Sequence, residues 1–101
     1  MSYIERKDGI IVVKPGVDII ASQCSSLQDE LQQLINDGEK KIILDLQDTR
    51  MIDSSGIGLL IATRNSLSDS GGGEIELINT SDDIRGLFTA MRLDHHFTIT
   101  S

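Results

Sequence analysis

The stretch of this chain that best suggests a chemical role is IDSSGIGLL, residues 52–60. It follows an apolar run, residues 41–46, that is typical of a buried strand, and it opens a segment with helical spacing. The hydroxyls of Ser54 and Ser55 are therefore predicted to lie where a helix begins, directly after Asp53. A helix start presents unpaired backbone N–H groups and the positive end of the helix dipole. A serine there can cap the helix, or it can carry a phosphate group that the helix end tolerates.

These two roles have different consequences for function. A phosphoserine carries close to two negative charges, and the helix dipole favours such an anion by about 0.3–1 kcal/mol, so the fold should survive the modification. A partner interface built around the bare hydroxyl should not survive it, because misplaced like charges across an interface cost several kcal/mol. Local chemistry alone favours a simple cap by Asp53, Ser54 or Ser55, since most serines at helix starts do nothing more.

The sequence supports a catalytic role of Ser54 less well than a role as a helix cap or a phosphorylation site. A hydrolytic triad with His95 or His96 and an aspartate would place the serine on a nucleophile elbow, which has a glycine two residues before it. Ile52 stands at that position. We interpret the two histidines as part of a polar turn before a last strand, and we expect no enzymatic activity.

Nucleotide and metal sites also lack their signatures. Gly56 and Gly58 supply two glycines of a three-glycine nucleotide fingerprint, but Ile61 holds the third position. The adjacent histidines and the distant Cys24 do not have metal-ligand spacing. We therefore expect neither a cofactor nor a metal. The two glycines are expected to bring the helix start close to a neighbouring strand and to leave the backbone near Ser54 open to a protein.

Composition narrows the class of partner. The formal net charge of −7 argues against binding to nucleic acid or to an anionic membrane surface, because both need clustered basic residues. It fits a protein partner with a basic patch. The apolar runs are too short to span a bilayer, and the N-terminal residues lack a signal-peptide pattern. Cys24 is the single cysteine, so no internal disulfide can form and a cytoplasmic location is expected.

Periodicity and turn residues predict the elements that position this stretch. A hairpin turn at Asp8-Gly9 is predicted to join two strands, residues 2–6 and a run ending at Val13. Pro15-Gly16 is predicted to end the second strand. Helices are predicted at about 22–36, 55–68 and 83–91, and further strands at 42–46, 74–78 and 97–99. This order predicts a single α/β domain over residues 1–101, with a mixed, mostly parallel sheet opened by a β-hairpin. Three helices would pack mainly on one face, and the other face would stay open or be covered by a partner.

Four segments of this chain resemble the STAS domain of bacterial anti-sigma factor antagonists, and the likeness extends over essentially the whole chain. They are ILDL at 43–46, MIDSSGIGLL at 51–60, GGEIEL at 72–77 and MRLDHHF at 91–97.

The resemblance implies partner switching. An unmodified antagonist of this family binds an anti-sigma factor that is also a serine kinase, which frees a sigma factor. The kinase uses ATP to phosphorylate the serine after the aspartate, the pair separates, and a metal-dependent serine phosphatase resets the system. On this chain the resemblance implies that Ser54 is the phosphoacceptor and that Asp53 and Ser55 shape the kinase-binding surface. Asp18 is similar to a family acid near the acceptor, although the loop KPGVD at 14–18 replaces the usual Gly-Glu-Leu-Asp.

We expect the partner-binding surface to combine the Asp18 loop, residues 53–59 and the exposed side of the second helix. Its predicted members are Asp18, Asp53, Ser55, Gly56, Ile57, Gly58 and Arg64. Ile57 is expected to be an exposed apolar anchor. The alternative function is a STAS scaffold or regulatory subunit of another circuit, in stress signalling, chemotaxis or secretion, or of a lipid-transport complex, with Ser54 only a helix cap.

Overall fold

The structure is a computed structural model that describes residues 3–8, 10–16, 18–69 and 71–100. The elements in chain order are β1 (Tyr3–Lys7), β2 (Ile10–Lys14), α1 (Ala21–Asn36), β3 (Lys41–Asp45), α2 (Ser54–Asp69), β4 (Glu74–Ile78), α3 (Asp82–Ala90) and β5 (Thr98–Ile99). This order confirms the predicted alternation. Residue 9 of the predicted hairpin turn and residue 17 of the loop before Asp18 lie outside the described residues.

The five strands form one sheet in the order β1-β2-β3-β4-β5. β1 and β2 are antiparallel, whereas β2, β3, β4 and β5 run parallel to one another. The prediction of a mixed, mostly parallel sheet that opens with an antiparallel pair is therefore confirmed. Because consecutive parallel strands need long crossovers, each of the last three connections contains a helix.

One face of the sheet carries the core. The register places Ile11, Ile42 and Ile75 in one row across β2, β3 and β4, and all three side chains are buried. Leucines, an isoleucine and a phenylalanine from the three helices join these residues in a single apolar cluster: Leu27, Leu31, Leu34, Leu60, Leu67, Ile84 and Phe88. The helices thus cover the same face, as predicted, and the core is aliphatic apart from the edge-to-face pair of Phe88 and Phe97.

The opposite face of the sheet has no helix over it in the described part of the chain. Alternate strand residues such as Val12 and Ile43 point there and are half-buried. Lys41 forms ion pairs across this face with Glu74 at 3.3 Å and Glu76 at 3.4 Å, and these bonds raise the pKa of Lys41. For this face the sequence predicted either exposure or cover by a partner, and both alternatives fit a face that carries no helix in the described residues.

Element boundaries differ from the predictions by one residue in several places. α2 begins at Ser54 and not at Ser55, and α3 begins at Asp82, because an aspartate and a serine cap these helices from the preceding position. Phe97 is buried just before β5 and is not part of that strand. Among the described residues, none of the helices has the length and apolar character needed to cross a bilayer.

Candidate functional site

Ser54 is the first residue of α2, and its side chain is exposed. The strand before it, β3, lies at the centre of the sheet, so α2 begins at the edge where the parallel strands end. Clefts beyond the carboxyl ends of parallel strands are common binding positions in α/β proteins. Ser55 follows in the first turn and is also exposed.

The cap of α2 is Asp53. Its Oδ1 accepts a hydrogen bond from the backbone N–H of Gly56 at 2.9 Å, and its main-chain oxygen accepts from Ile57 at 2.9 Å. This is the usual geometry of an N-cap aspartate, with the side chain bonded three residues ahead. The capping role that the sequence left open between Asp53, Ser54 and Ser55 therefore belongs to Asp53.

The same carboxylate also holds the start of α1. Asp53 Oδ2 accepts a hydrogen bond from the backbone N–H of Ala21 at 3.0 Å. The residue at the N-cap of α1 is Ile20, which has no side-chain group that can cap the helix. One carboxylate thus binds the first turns of two helices. Its bond from Gly56 is the main cause that lowers the pKa of Asp53, and the bond from Ala21 adds to it.

Asp18 braces the loop that leads to Ser54. Its Oδ1 accepts hydrogen bonds from the backbone N–H groups of Arg50 at 2.8 Å and Met51 at 3.1 Å. Ile19 continues this contact, because it forms a parallel bridge with Ile52 and its oxygen accepts from the Asp53 N–H at 3.2 Å. The structure therefore brings Asp18 to the candidate site, where its carboxylate holds the backbone.

The two glycines of the motif have different surroundings. A Cβ on Gly56 would overlap the main-chain oxygen and the side chain of Ile19 and the side chain of Ile52. Gly56 is therefore required for the close approach between α2 and the bridge. A Cβ on Gly58 would point into open space, and Gly58 is exposed. The expectation of close packing against a neighbouring segment therefore applies to Gly56. Gly58 has no side chain to cover the surface next to Ser54, so that surface stays accessible.

The expectation that Ile57 is an exposed anchor is wrong. Its side chain is 4% exposed and belongs to the core cluster, because position 57 shares its helix face with Leu60 and Leu67. The exposed apolar residue near the site is Met51, with 56% exposure. The helical spacing from Ile57 to Leu60 and Leu67 already indicated in the sequence that Ile57 faces the core. Met51 lies in a loop, where no periodic pattern predicts exposure.

Arg64 does not join the residues around Ser54. It lies ten positions further along α2, about 15 Å at the helical rise. Its Nε donates a hydrogen bond to the main-chain oxygen of His96 at 2.8 Å. The turn that holds His95 and His96 is therefore at the other end of α2, so the structure does not assemble a triad with Ser54.

The described residues contain no group of His, Cys, Asp and Glu side chains that could hold a metal ion. Cys24, in the first turns of α1, is half-buried. Burial, and secondarily the charge of Asp53, raises the pKa of its thiol, which disfavours the thiolate form that binds metals.

Comparison with known proteins identifies the architecture. The sequence profile of the STAS domain matches residues 3–101. The chain belongs to the STAS domain family. The resemblance inferred from the DSSG segment and its neighbours is thereby confirmed.

Curated relatives of this STAS domain include the anti-sigma-B factor antagonist of Staphylococcus aureus. It is 28% identical over 82 residues, which cover 81% of this chain and 75% of the relative.

Solved structures share the fold of this STAS domain over its whole length. A putative anti-sigma factor antagonist from Thermotoga maritima superposes with a TM-score of 0.92 at 22% identity, covering 100% of this chain and 86% of the other. The anti-sigma factor antagonist SpoIIAA in its unphosphorylated form gives 0.78 at 18% identity, with coverage of 100% and 88%. The Bacillus cell fate determinant SpoIIAA in the phosphorylated form gives 0.76 at 19% identity, with coverage of 100% and 92%.

Proposed function

We propose that this STAS domain is an anti-sigma factor antagonist whose binding is controlled by phosphorylation of Ser54. The unphosphorylated chain binds an anti-sigma factor that is also a serine kinase, and the phosphorylated chain is released from it. A metal-dependent serine phosphatase restores the binding form. The chain itself acts as a cytoplasmic binding module and has no catalytic role, because ATP is bound by the kinase.

The observation that carries this proposal is the division of roles between Asp53 and Ser54. Asp53 caps α2, so the hydroxyl of Ser54 is not needed for that purpose, and it is exposed at the first position of the helix. A kinase can reach a hydroxyl in that position without unfolding any element. The names of the curated relatives and the existence of a phosphorylated form of SpoIIAA, which shares this fold, support the same assignment.

The docking surface that we propose is centred on Ser54 and includes Ser55, Gly58 and Met51, which are all exposed. Met51 replaces Ile57 as the apolar anchor, because an exposed apolar side chain gains most from desolvation on binding. Asp18, Asp53 and Gly56 act through the shape of this surface: two carboxylates hold its backbone, and the glycine permits the close packing beneath it. Arg64 lies outside this surface.

Phosphorylation can lower the affinity for the partner without any change of fold. A phosphate at Ser54 adds close to two negative charges at the centre of the interface. Misplaced charge there costs several kcal/mol, and each ~1.4 kcal/mol changes affinity tenfold. The expected loss of affinity is therefore about a hundredfold or more, which is sufficient for a switch.

The proposal is tested by incubation with candidate anti-sigma factor kinases and ATP, followed by intact mass and peptide mapping. Wild type should gain a single phosphate on Ser54, Ser54→Ala should gain none, and Ser55→Ala should still be modified. Ser55→Ala is a matched control, because it removes an exposed hydroxyl from the next position of the same turn. A chain that binds such a kinase yet is never modified would support the alternative of a constitutive STAS scaffold.

A further inference from the structure

The first turn of α1 depends on a side chain from a different part of the chain. Its N-cap residue, Ile20, offers no side-chain acceptor, and its first turn has no acidic residue. The N–H of Ala21 is instead bound by Asp53 Oδ2 at 3.0 Å. The neighbouring residue of Asp53 is Ser54, so the acceptor that holds α1 is adjacent in sequence to the proposed phosphorylation site.

A phosphate on Ser54 would act directly on this carboxylate. Adjacent Cα atoms are about 3.8 Å apart and both side chains are short, so the separation of the two anions would be comparable with the Debye length of about 8 Å. Repulsion between the two anions favours rotation of the Asp53 carboxylate or a rise in its pKa, and either change weakens its hydrogen bonds.

The two hydrogen bonds that the Asp53 carboxylate accepts are not equally robust. The bond from Gly56 closes a ring within one helical turn, three residues away. The bond from Ala21 joins segments 32 residues apart, so it depends on the relative position of two elements. A displaced carboxylate can keep the local bond by a small rotation, while the bond from Ala21 is lost.

We propose that Asp53 is a positioning residue that couples the phosphorylation state of Ser54 to the first turn of α1. In the unphosphorylated chain, the carboxylate holds the starts of α1 and α2 together. In the phosphorylated chain, the Ala21 N–H is released, and the partner meets both an added charge and a loosened helix start. The change stops there, because Leu27, Leu31 and Leu34 anchor the rest of α1 in the core. This inference rests on the proposed function, since it takes Ser54 as the modified residue.

The test compares the chain carrying serine with the chain carrying phosphoserine at position 54, the latter made by genetic encoding or by ligation. Backbone amide hydrogen exchange is measured by NMR. The Ala21 amide should exchange about tenfold faster or more in the phosphorylated chain, as expected for loss of a hydrogen bond to a charged acceptor. The Asp37 amide, which is bonded to Gln33 at the far end of α1, should not change.

Asp53→Asn provides the second half of the test. Asparagine keeps one oxygen that can cap α2, but it carries no negative charge and its amide nitrogen cannot accept the hydrogen bond from Ala21. Phosphorylation should therefore leave Ala21 exchange in this variant nearly unchanged. Asp48→Asn is the matched control: Asp48 is an exposed acid in the loop before α2, and the response of Ala21 should remain as in wild type.

Three outcomes would overturn the inference: an Ala21 amide that does not respond to phosphoserine, an equal response in Asp53→Asn, or an equal acceleration at Asp37. Because phosphoserine is installed without a kinase, these outcomes are independent of whether a kinase modifies the chain. A positive result here with no phosphorylation by candidate kinases would count against the proposed function alone.

Discussion

Asp53 and Ala21 are 32 positions apart in the sequence, yet Asp53 Oδ2 and the Ala21 nitrogen lie 3.0 Å apart in the fold. This hydrogen bond joins the start of α1 to the start of α2 at the point where Ser54 is exposed. It links the segment after β2 to the segment after β3, so neither helix begins independently of the other.

Replacement of Ser54 by aspartate should weaken binding to an anti-sigma factor partner without unfolding the domain. One added charge is less than that of phosphate, so the expected loss of affinity is about ten- to hundredfold. Isothermal titration calorimetry with wild type, Ser54→Asp and Ser54→Ala measures it, with Ser54→Ala expected to bind as wild type does. Full affinity in Ser54→Asp would contradict the repulsion argument.

Met51→Ala should lower partner affinity by about tenfold, as expected for a moderate apolar anchor. Its free energy of unfolding should change by about 0.5 kcal/mol or less, because the side chain is exposed. Ile57→Ala should behave in the opposite way, with a loss of about 2–5 kcal/mol of stability from the cavity it leaves. Urea denaturation and binding titrations on both variants separate these effects. Equal partner binding by Met51→Ala and wild type would remove Met51 from the proposed surface.

Gly56→Ala should destabilise the domain by about 1–3 kcal/mol or more, because its Cβ would overlap the main-chain oxygen of Ile19. Gly58→Ala is the matched control. Its Cβ meets open space, and alanine is the better helix former, so a gain of about 0.5–1 kcal/mol is expected. Thermal denaturation of the two variants should therefore give shifts of opposite sign.

Acid should remove part of the stability that Asp53 provides. Its pKa in the fold lies below the ordinary value of 3.8, so its contribution is complete above that value and is lost as pH falls through the lower value of the folded state. Asp53→Asn has no carboxyl group at this position. Its free energy of unfolding should therefore fall less than that of wild type as the pH is lowered from 5. Urea denaturation across this range measures the difference. Parallel pH curves for the two proteins would show that the carboxylate charge does not contribute.

The regular elements were readable from the sequence because their patterns are local. The strict alternation EIELI predicted β4 at the residues where it lies, Glu74–Ile78. The predicted end of the first helix at about residue 36 agrees with α1, and Gly38, which follows it, has a φ of 89°, as is typical of a glycine after a helix. Each of these signals needs only a few neighbouring residues, so the fold class was predictable without coordinates.

The candidate site was only partly readable, because its decisive contacts join distant segments. The sequence singled out Asp53 and Asp18 but indicated no distant partners for their carboxylates. The hydrogen bonds from Ala21 to Asp53 and from Met51 to Asp18 each join residues more than 30 positions apart in the sequence. Local sequence spacing does not predict contacts at such separations. The error at Ile57 was different in kind, since the helical phase shared with Leu60 already indicated burial.

The helix-free face of the sheet has a consequence for how this protein can diverge. Val12, Ile43 and the ion pairs of Lys41 lie on the side of the sheet opposite α2, and the core separates them from Ser54. Replacements on that face are expected to change solubility and thermal stability without altering the proposed docking surface around Ser54. Duplicated copies of this domain would therefore be free to differ on the helix-free face while they keep the same surface around Ser54.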